Sequence, residues 1–330
     1  VDGIHVDDYF YPYRENDSSN REIPFPDGVS YKKYTDNGGT LNRDDWRREN
    51  VNVFIQRVYK AVKAEKIWVK VGISPFGIYR PGYPTQIKGF DAYQEIYCDS
   101  RKWLREGWLD YLAPQLYWPI AQTAQSYPVL LKWWTEQNTQ GRHIWAGNYT
   151  SKVGEGGKNG YTADEIINQI KATRNQPGAT GNVHFSMATL RDDTQGLDEK
   201  LAQTVYQQPA LVPASPWLSS KQPGQPLTLI QIDPNTNDVK LAWSAPLTDK
   251  PALWVLQTRQ AGTWKTQILP GKQGGATINS ANRALNVDMV ALSLVDRYGN
   301  QGKPFVFEFR LNTANGTAVS VRTSKSDTLQ

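Results

Sequence analysis

Cysteine is almost absent: Cys98 is the single one among 330 residues, which excludes an internal disulfide and any cysteine-built metal cluster. Histidine is nearly as scarce, and His5, His143 and His184 stand far apart in the chain. Three strand-borne imidazoles could meet on zinc, but His143 is expected at the start of a strand, so no metal or other cofactor is expected. No apolar run approaches the roughly 18 residues that a membrane helix requires. No glycine-rich dinucleotide fingerprint follows an expected strand. The nearest stretch, GEGGKNG at 154–160, lacks the Gly-Lys-Ser/Thr ending of a phosphate loop and reads as a flexible loop, so no nucleotide partner is expected. The net charge of +5 is small and spread along the chain, which is not the footprint of a nucleic-acid binder.

What the chain has in quantity is aromatic rings, with 12 Trp and 17 Tyr. Many stand beside Pro or Gly at the ends of apolar runs, where carbohydrate-binding clefts place such rings; large aromatics also fill cores. At this length two domains are expected, since one commonly takes about 100 to 200 residues. Up to about residue 208, short apolar runs alternate with helix-period segments. VDGIHVDDYF is followed, after a polar loop, by DDWRRENVNVFIQRVYKAVKAEK, whose Trp46, Val53, Val58 and Val62 are expected on one helical face. IWVKVGISPFGIY, LDYLAPQLYWP, HIWAGNYT and NVHFSMATL continue the strand series, and Thr162 with Glu165 reads as a capping box for the helix between the last two. Short, nearly continuous apolar strands between amphipathic helices imply a parallel sheet covered by helices.

Each of these strands ends in polar, aromatic or Gly-Pro chemistry: HVDDYFYP, GISPFG, PQLYWP, GNYT, SMATLRDD. A barrel gathers its strand ends around one mouth, whereas an open sheet concentrates function at one switch point, so part of a (β/α)8 TIM barrel is expected over residues 1–211. Residues 212–224 read as a Pro/Ser-rich linker. From there the period becomes two, in LTLIQIDP, DVKLAWSAP, ALWVLQTRQ, TWKTQIL, VDMVALSLVDRYGN and PFVFEFRL. That pattern predicts an all-β immunoglobulin-like sandwich over 225–312, with a polar tail at 313–330. The sandwich segment resembles a fibronectin type III module, Trp243 standing in the place of that family's early core tryptophan, which implies an accessory role.

DGIHVDDYFYPY, GISPFGIYR, DSRKWLREGWLDYLAPQLYWP and the turn after WAGNYT closely resemble the family-10-like glycosyl hydrolases, TIM-barrel proteins of the bacterial envelope and surface. The resemblance runs from Val1 to about Gln207. It makes the opening motif the fourth barrel strand and implies strands four to eight here. Three further strands, the envelope-targeting leader and a lipid-anchored or secreted, periplasmic or surface location are then expected of the native polypeptide.

Glycoside hydrolysis generally uses two carboxylates, about 5 to 5.5 Å apart for retention and about 6.5 to 9.5 Å for inversion. Asp7 and Asp8 are the candidates. On a regular strand neighbours point to opposite faces. Similarity of DGIHVDDY to the chitinase-type strand DGxDxDxE places His5, Asp7 and Tyr9 on the lumenal face, and Tyr9 in place of the chitinase Glu disfavours chitinase activity. Asp7 is therefore the expected catalytic carboxylate, with Asp8 beside it. Asp99 is expected to cap a helix, Asp110 to lie at the wrong end of the barrel, and Glu155, Asp192 and Asp193 to follow late strands at the mouth. Tyr9, Tyr11, Tyr117 and Trp118 are expected to stack on sugar, Ser74, Gln115 and Asn148 to bond hydroxyl or N-acetyl groups, and Arg80 to pair with a substrate carboxylate; His5 and Glu155 complete the expected binding set. The expected function is hydrolysis of a bacterial polysaccharide, most plausibly peptidoglycan glycan strands. The alternative is a non-catalytic carbohydrate-binding or scaffold protein of the envelope.

Overall fold

A strand turns every second side chain to the same face, and the first unit of the chain, Val1–Gln207, is built on five strands covered by helices. The computed structural model describes residues 1–156, 160–280, 287–312 and 318–323. Strands β1 (Gly3–Val6), β2 (Lys70–Ile73), β3 (Tyr111–Leu112), β4 (His143–Asn148) and β5 (Gly181–His184) lie side by side in chain order. Every adjacent pair is parallel, and the sheet curls as half of a barrel with β1 and β5 as its edges. Val6, Ile73, Leu112 and Ile144 are register partners, and this row packs on the helices through Val51, Ile55, Leu104, Leu130 and Trp134. The neighbouring row, His5, Gly72, Tyr111 and His143, points the other way.

Eight α-helices are described in this unit: α1 (Gly28–Asp36), α2 (Arg43–Glu65), α3 (Ala92–Glu95), α4 (Ser100–Arg105), α5 (Tyr127–Gln137), α6 (Ala163–Asn175), α7 (Met187–Arg191) and α8 (Leu197–Gln203). Helix α1 occupies what reads as a polar loop; it buries no residue of its own, which is why it carries no apolar period. The buried stripe of α2 is Trp46, Arg48, Val51, Asn52 and Ile55, while Val53 is exposed, so the expected face is corrected. Two polar side chains hide the true stripe. Asn52 accepts the Trp103 indole N–H at 2.7 Å, and the Arg48 guanidinium lies 3.7 Å from the centre of the Tyr93 ring. Of NVHFSMATL only the first part is strand; Met187 onward is helical.

At the N-terminal edge of the sheet, fully buried Asp110 accepts from the Lys63 ammonium at 2.5 Å and from the Val71 N–H at 2.7 Å. It closes the bottom of the sheet and stands away from the strand C-termini, as expected.

The second unit, Gln208–Gln330, holds two antiparallel sheets. One orders β6 (Leu227–Ile232), β7 (Val239–Ser244) and β10 (Gly275–Ile278) as β10-β7-β6. The other orders β8 (Leu253–Gln260), β9 (Thr263–Pro270), β11 (Met289–Val295), β12 (Phe305–Asn312) and β13 (Ala318–Thr323) as β13-β12-β11-β8-β9. Leu241 and Trp243 of the first share a core with Trp254, Leu292 and Phe307 of the second. Two differences from the sequence expectation stand out. Strand β13 lies inside the expected polar tail and pairs with β12 from Phe307 to Asn312. The expected linker is held to this unit: buried Ser215 donates its N–H to the Tyr298 carbonyl, and the Asn300 amide donates to the Ser219 carbonyl.

Removing the Lys63 ammonium would take away the cation 2.5 Å from the buried Asp110 carboxylate, and breaking a buried ion pair from one side costs about 3 to 5 kcal/mol in comparable sites. Lys63→Met should therefore lower the thermal midpoint of the first unit sharply, measured by circular dichroism on the 330-residue chain, whereas Lys63→Arg, which keeps a cation for Asp110, should lower it less.

Candidate active site

Because the strands are parallel, the residues that follow their last ladder positions share one edge. That edge carries Asp7 after β1, Ser74 after β2, Gln115 beyond β3, Tyr149 after β4 and Phe185 after β5.

Asp7 is exposed, and its Oδ1 accepts two hydrogen bonds, from the Asp8 N–H at 2.9 Å and from the Gln115 side-chain amide at 2.9 Å. The same amide donates to the Ser74 carbonyl at 3.2 Å, so Gln115 ties the first three strand ends together. Its backbone can come this close to the second strand's extension because residue 77 is glycine; a Cβ there would stand 2.1 Å from the Gln115 carbonyl oxygen. Asp8 points the other way and is only 6% exposed. Its Oδ2 accepts from the Tyr13 hydroxyl at 2.7 Å. Burial raises the Asp8 pKa above the ordinary carboxylate value, the Tyr13 bond opposes the rise, and the neighbouring charge of Asp7 adds to it. The alternation expected of the opening strand thus separates the two carboxylates, Asp7 to the cleft and Asp8 to the interior.

Aromatic rings stand beyond them. Tyr117 lies 4.8 Å from Tyr149 and 6.0 Å from Phe185, centroid to centroid, and Phe185 remains 49% exposed. Burial raises the pKa of the Tyr117 hydroxyl, and the charges of Asp7 and Asp8 push it further, which puts this ring within electrostatic reach of both. The loop that carries it is held from helix α6 and its approach. The Tyr161 hydroxyl donates to the Tyr117 carbonyl at 2.8 Å, Gln169 donates to the Trp118 carbonyl at 3.3 Å, and Glu165 accepts the Ile120 N–H at 2.8 Å. The expected capping box is therefore half used: Thr162 receives the Glu165 N–H, but the Glu165 carboxylate turns to the loop instead of back to the cap.

The other expected site residues divide. Tyr9 is 74% exposed beside Asp8. His5 stacks on Tyr111 at 5.8 Å and its Nδ1 shares a 2.9 Å hydrogen bond with the Tyr111 hydroxyl; desolvation lowers its pKa and Asp7 partly offsets that. Trp118 packs edge-on against Phe76 at 5.6 Å, next to the core. Glu155 is exposed on the loop after β4. Three residues have other engagements. The Ser74 hydroxyl donates to the Ala113 carbonyl, Arg80 bonds Asp91 at 3.2 Å with its guanidinium 4.7 Å from the Tyr93 ring centre, and Asn148 is fully buried. The expected contact of Asn148 with substrate is therefore corrected: it bonds Gln169, Tyr127 and Asn182 inside the fold, because its position on β4 shares the helix-facing side with Ile144. Tyr11 turns toward Phe25 and Tyr97, at 5.0 and 4.9 Å. Asp99 caps α4 as expected, Asp193 accepts the Asp198 N–H at the start of α8, and Asp192 pairs with Arg191. The three histidines have separate partners, with Thr180 beside His143 and Tyr206 beside His184. Sequence reasoning missed Tyr13, Tyr149 and Phe185. The first two had a signal, an aromatic within a few residues of a strand's end; Phe185 looked like strand.

The raised Asp8 pKa has a sign that can be checked. A carboxyl that binds its proton more tightly folded than unfolded favours the folded state as pH falls through the window between the ordinary carboxylate pKa and the raised value, and that contribution is lost as pH rises. Asp8→Asn keeps an acceptor for Tyr13 and removes the buried charge. Its melting temperature relative to the parent should rise on going from pH 4 to pH 7 in thermal scans; a difference independent of pH would contradict the raised pKa.

Residues 1–162 match the model of the family described as glycosyl hydrolase-like 10. The chain is similar to glycosyl hydrolase YngK of Bacillus subtilis (strain 168), 37% identical over 245 residues, which are 72% of this chain and 47% of that protein. Glycosyl hydrolase DigH of Escherichia coli (strain K12) is 37% identical over 163 residues, 48% of this chain and 35% of that protein. The chain thus spans about half the length of the first relative and about a third of the second. Among solved structures, an FN3 domain of human collagen XX is similar over 35% of this chain and 100% of its own, at 16% identity and a TM-score of 0.21. Over residues 1–162, which hold the first four strands and Asp7, this chain is related in sequence to the glycosyl hydrolase-like 10 proteins.

Proposed function

We propose that the protein is a glycoside hydrolase of a bacterial polysaccharide, most plausibly peptidoglycan glycan strands of the cell envelope, with Asp7 as a catalytic carboxylate. The observation that carries this reading is the exposed Asp7 carboxylate at the shared strand edge, fixed through Oδ1 by Gln115 and the Asp8 N–H and within electrostatic reach of the Tyr117 ring. Fixing one oxygen leaves the other for a developing oxocarbenium or an attacking water, the roles such a carboxylate fills. Tyr117, Tyr149 and Phe185 offer apolar ring faces to the C–H side of a pyranose. Asp8, buried behind Asp7, supports rather than reacts.

The curled sheet is read here as strands four to eight of a (β/α)8 barrel. Its chain-order pairing, its common C-terminal edge and the greater length of the relatives support that reading. The opposing carboxylate then comes from the N-terminal part of the barrel on the same native polypeptide, exported to the periplasm or cell surface. The second unit is read as a fibronectin type III-like accessory module. One observation favours a non-catalytic carbohydrate-binding protein instead: the carboxylate adjacent to Asp7 in sequence is interior.

Release of reducing ends from purified glycan strands by the native polypeptide separates the two. Asp7→Asn should lower turnover by on the order of 10² to 10⁴ while leaving glycan affinity within about tenfold, because the lost charge acts in the transition state. Asp8→Asn should cost less. Full activity of Asp7→Asn removes Asp7 from the mechanism, and no reducing ends from the parent favours the binding protein.

A further inference from the structure

A cavity of about 200 Å³ is walled by Tyr11, Tyr13, Ile23, Pro24, Phe25 and Tyr97, and Asp7 is not among its lining residues. It belongs to the first unit and lies on the Asp8 side of the strand end: the Tyr13 ring walls it while the Tyr13 hydroxyl is donated to Asp8. We infer that this cavity is a second saccharide site, which takes one neutral pyranose ring, and that it is separate from the cleft at Asp7.

Its chemistry is that of an apolar floor under a polar rim. The rings of Tyr11, Phe25 and Tyr97 meet edge to face, and Pro12, Pro24 and Pro26 fix the backbone around them, so little ordering is needed on binding. The rim is charged but internally compensated. Arg14 bonds Glu22 at 2.9 Å and Glu95 at 2.7 Å, and Arg47 bonds Asp27 at 2.7 Å and the Tyr97 hydroxyl at 2.6 Å. Glu15 adds a further carboxylate to the lining, so an anionic ligand meets more negative than positive charge. A neutral sugar suits such a rim, since its hydroxyls can both donate to the carboxylates and accept from the guanidinium groups without displacing either, while its C–H face lies on the rings. The volume is below the range of about 300 to 1,000 Å³ typical of drug-sized ligands, which limits the occupant to a single ring.

This inference goes beyond the hydrolase reading and does not need turnover. The 330-residue chain is titrated with N-acetylglucosamine trisaccharide, cellotriose, trigalacturonate and decaproline, following the backbone amide NMR shifts of Glu22, Ile23 and Phe25. A neutral trisaccharide should move those amides and trigalacturonate should not. Phe25→Ala should weaken the response roughly tenfold, the scale of one aromatic contact. Ile23→Glu should do the same; these side chains are 41% and 52% exposed, so either variant keeps the fold. Asp7→Asn should bind at these amides as the parent does, whatever it does to hydrolysis. Unchanged binding in both cavity variants, binding of trigalacturonate as strong as that of the neutral sugars, or a response to decaproline alone would overturn the inference.

Discussion

A parallel sheet whose strands pair in chain order puts the residue after every strand on one edge, and the chemistry of the first unit follows from that constraint. Asp7, Ser74 and Gln115 are far apart in sequence, yet one amide side chain touches the first two through a carboxylate and a carbonyl. The pairing of β1 with β2 and of β2 with β3 brings them there. Glycine at 77 lets the third strand's extension close in, and a larger residue would push Gln115 away from Asp7.

The same pleat that gathers these residues also sorts them. One step along the chain turns a side chain from the cleft to the helices, and Asp7 and Asp8 differ by that step. Asp8 can stay interior because the Tyr13 hydroxyl meets one of its oxygens, which limits the cost of a buried carboxylate without cancelling it; the raised pKa is what remains. Asn148 is sorted the same way, into a buried set of amides and hydroxyls with Tyr127, Gln169 and Asn182. That set is not idle: Gln169 also grips the loop that presents Tyr117.

Much of this was legible in the sequence because period and position carry it. Strand alternation separated Asp7 from Asp8, and the order of strand and helix segments gave the parallel sheet. What stayed hidden depends on partners distant in the chain. The apolar residues Trp46, Val53, Val58 and Val62 suggested a face for α2, but the buried stripe includes Arg48 and Asn52, which Tyr93 and Trp103 engage. Arg80 reads as a free cation until Asp91 is beside it. Strand β13 has too many polar residues to announce itself and exists by pairing with β12. Glu165 fits a capping box, and only the fold reveals a better donor at Ile120.

Tyr13 touches both the acidic strand end and the neighbouring cavity. Its hydroxyl prefers the charged form of Asp8, since a donor is worth more to a carboxylate than to a carboxylic acid. Its ring is held at a tilt 5.3 Å from Phe90, which in turn packs on Phe76, the residue that bridges to Gln115. Tyr13 is thereby packed on Phe90 through its ring and bonded to Asp8 through its hydroxyl.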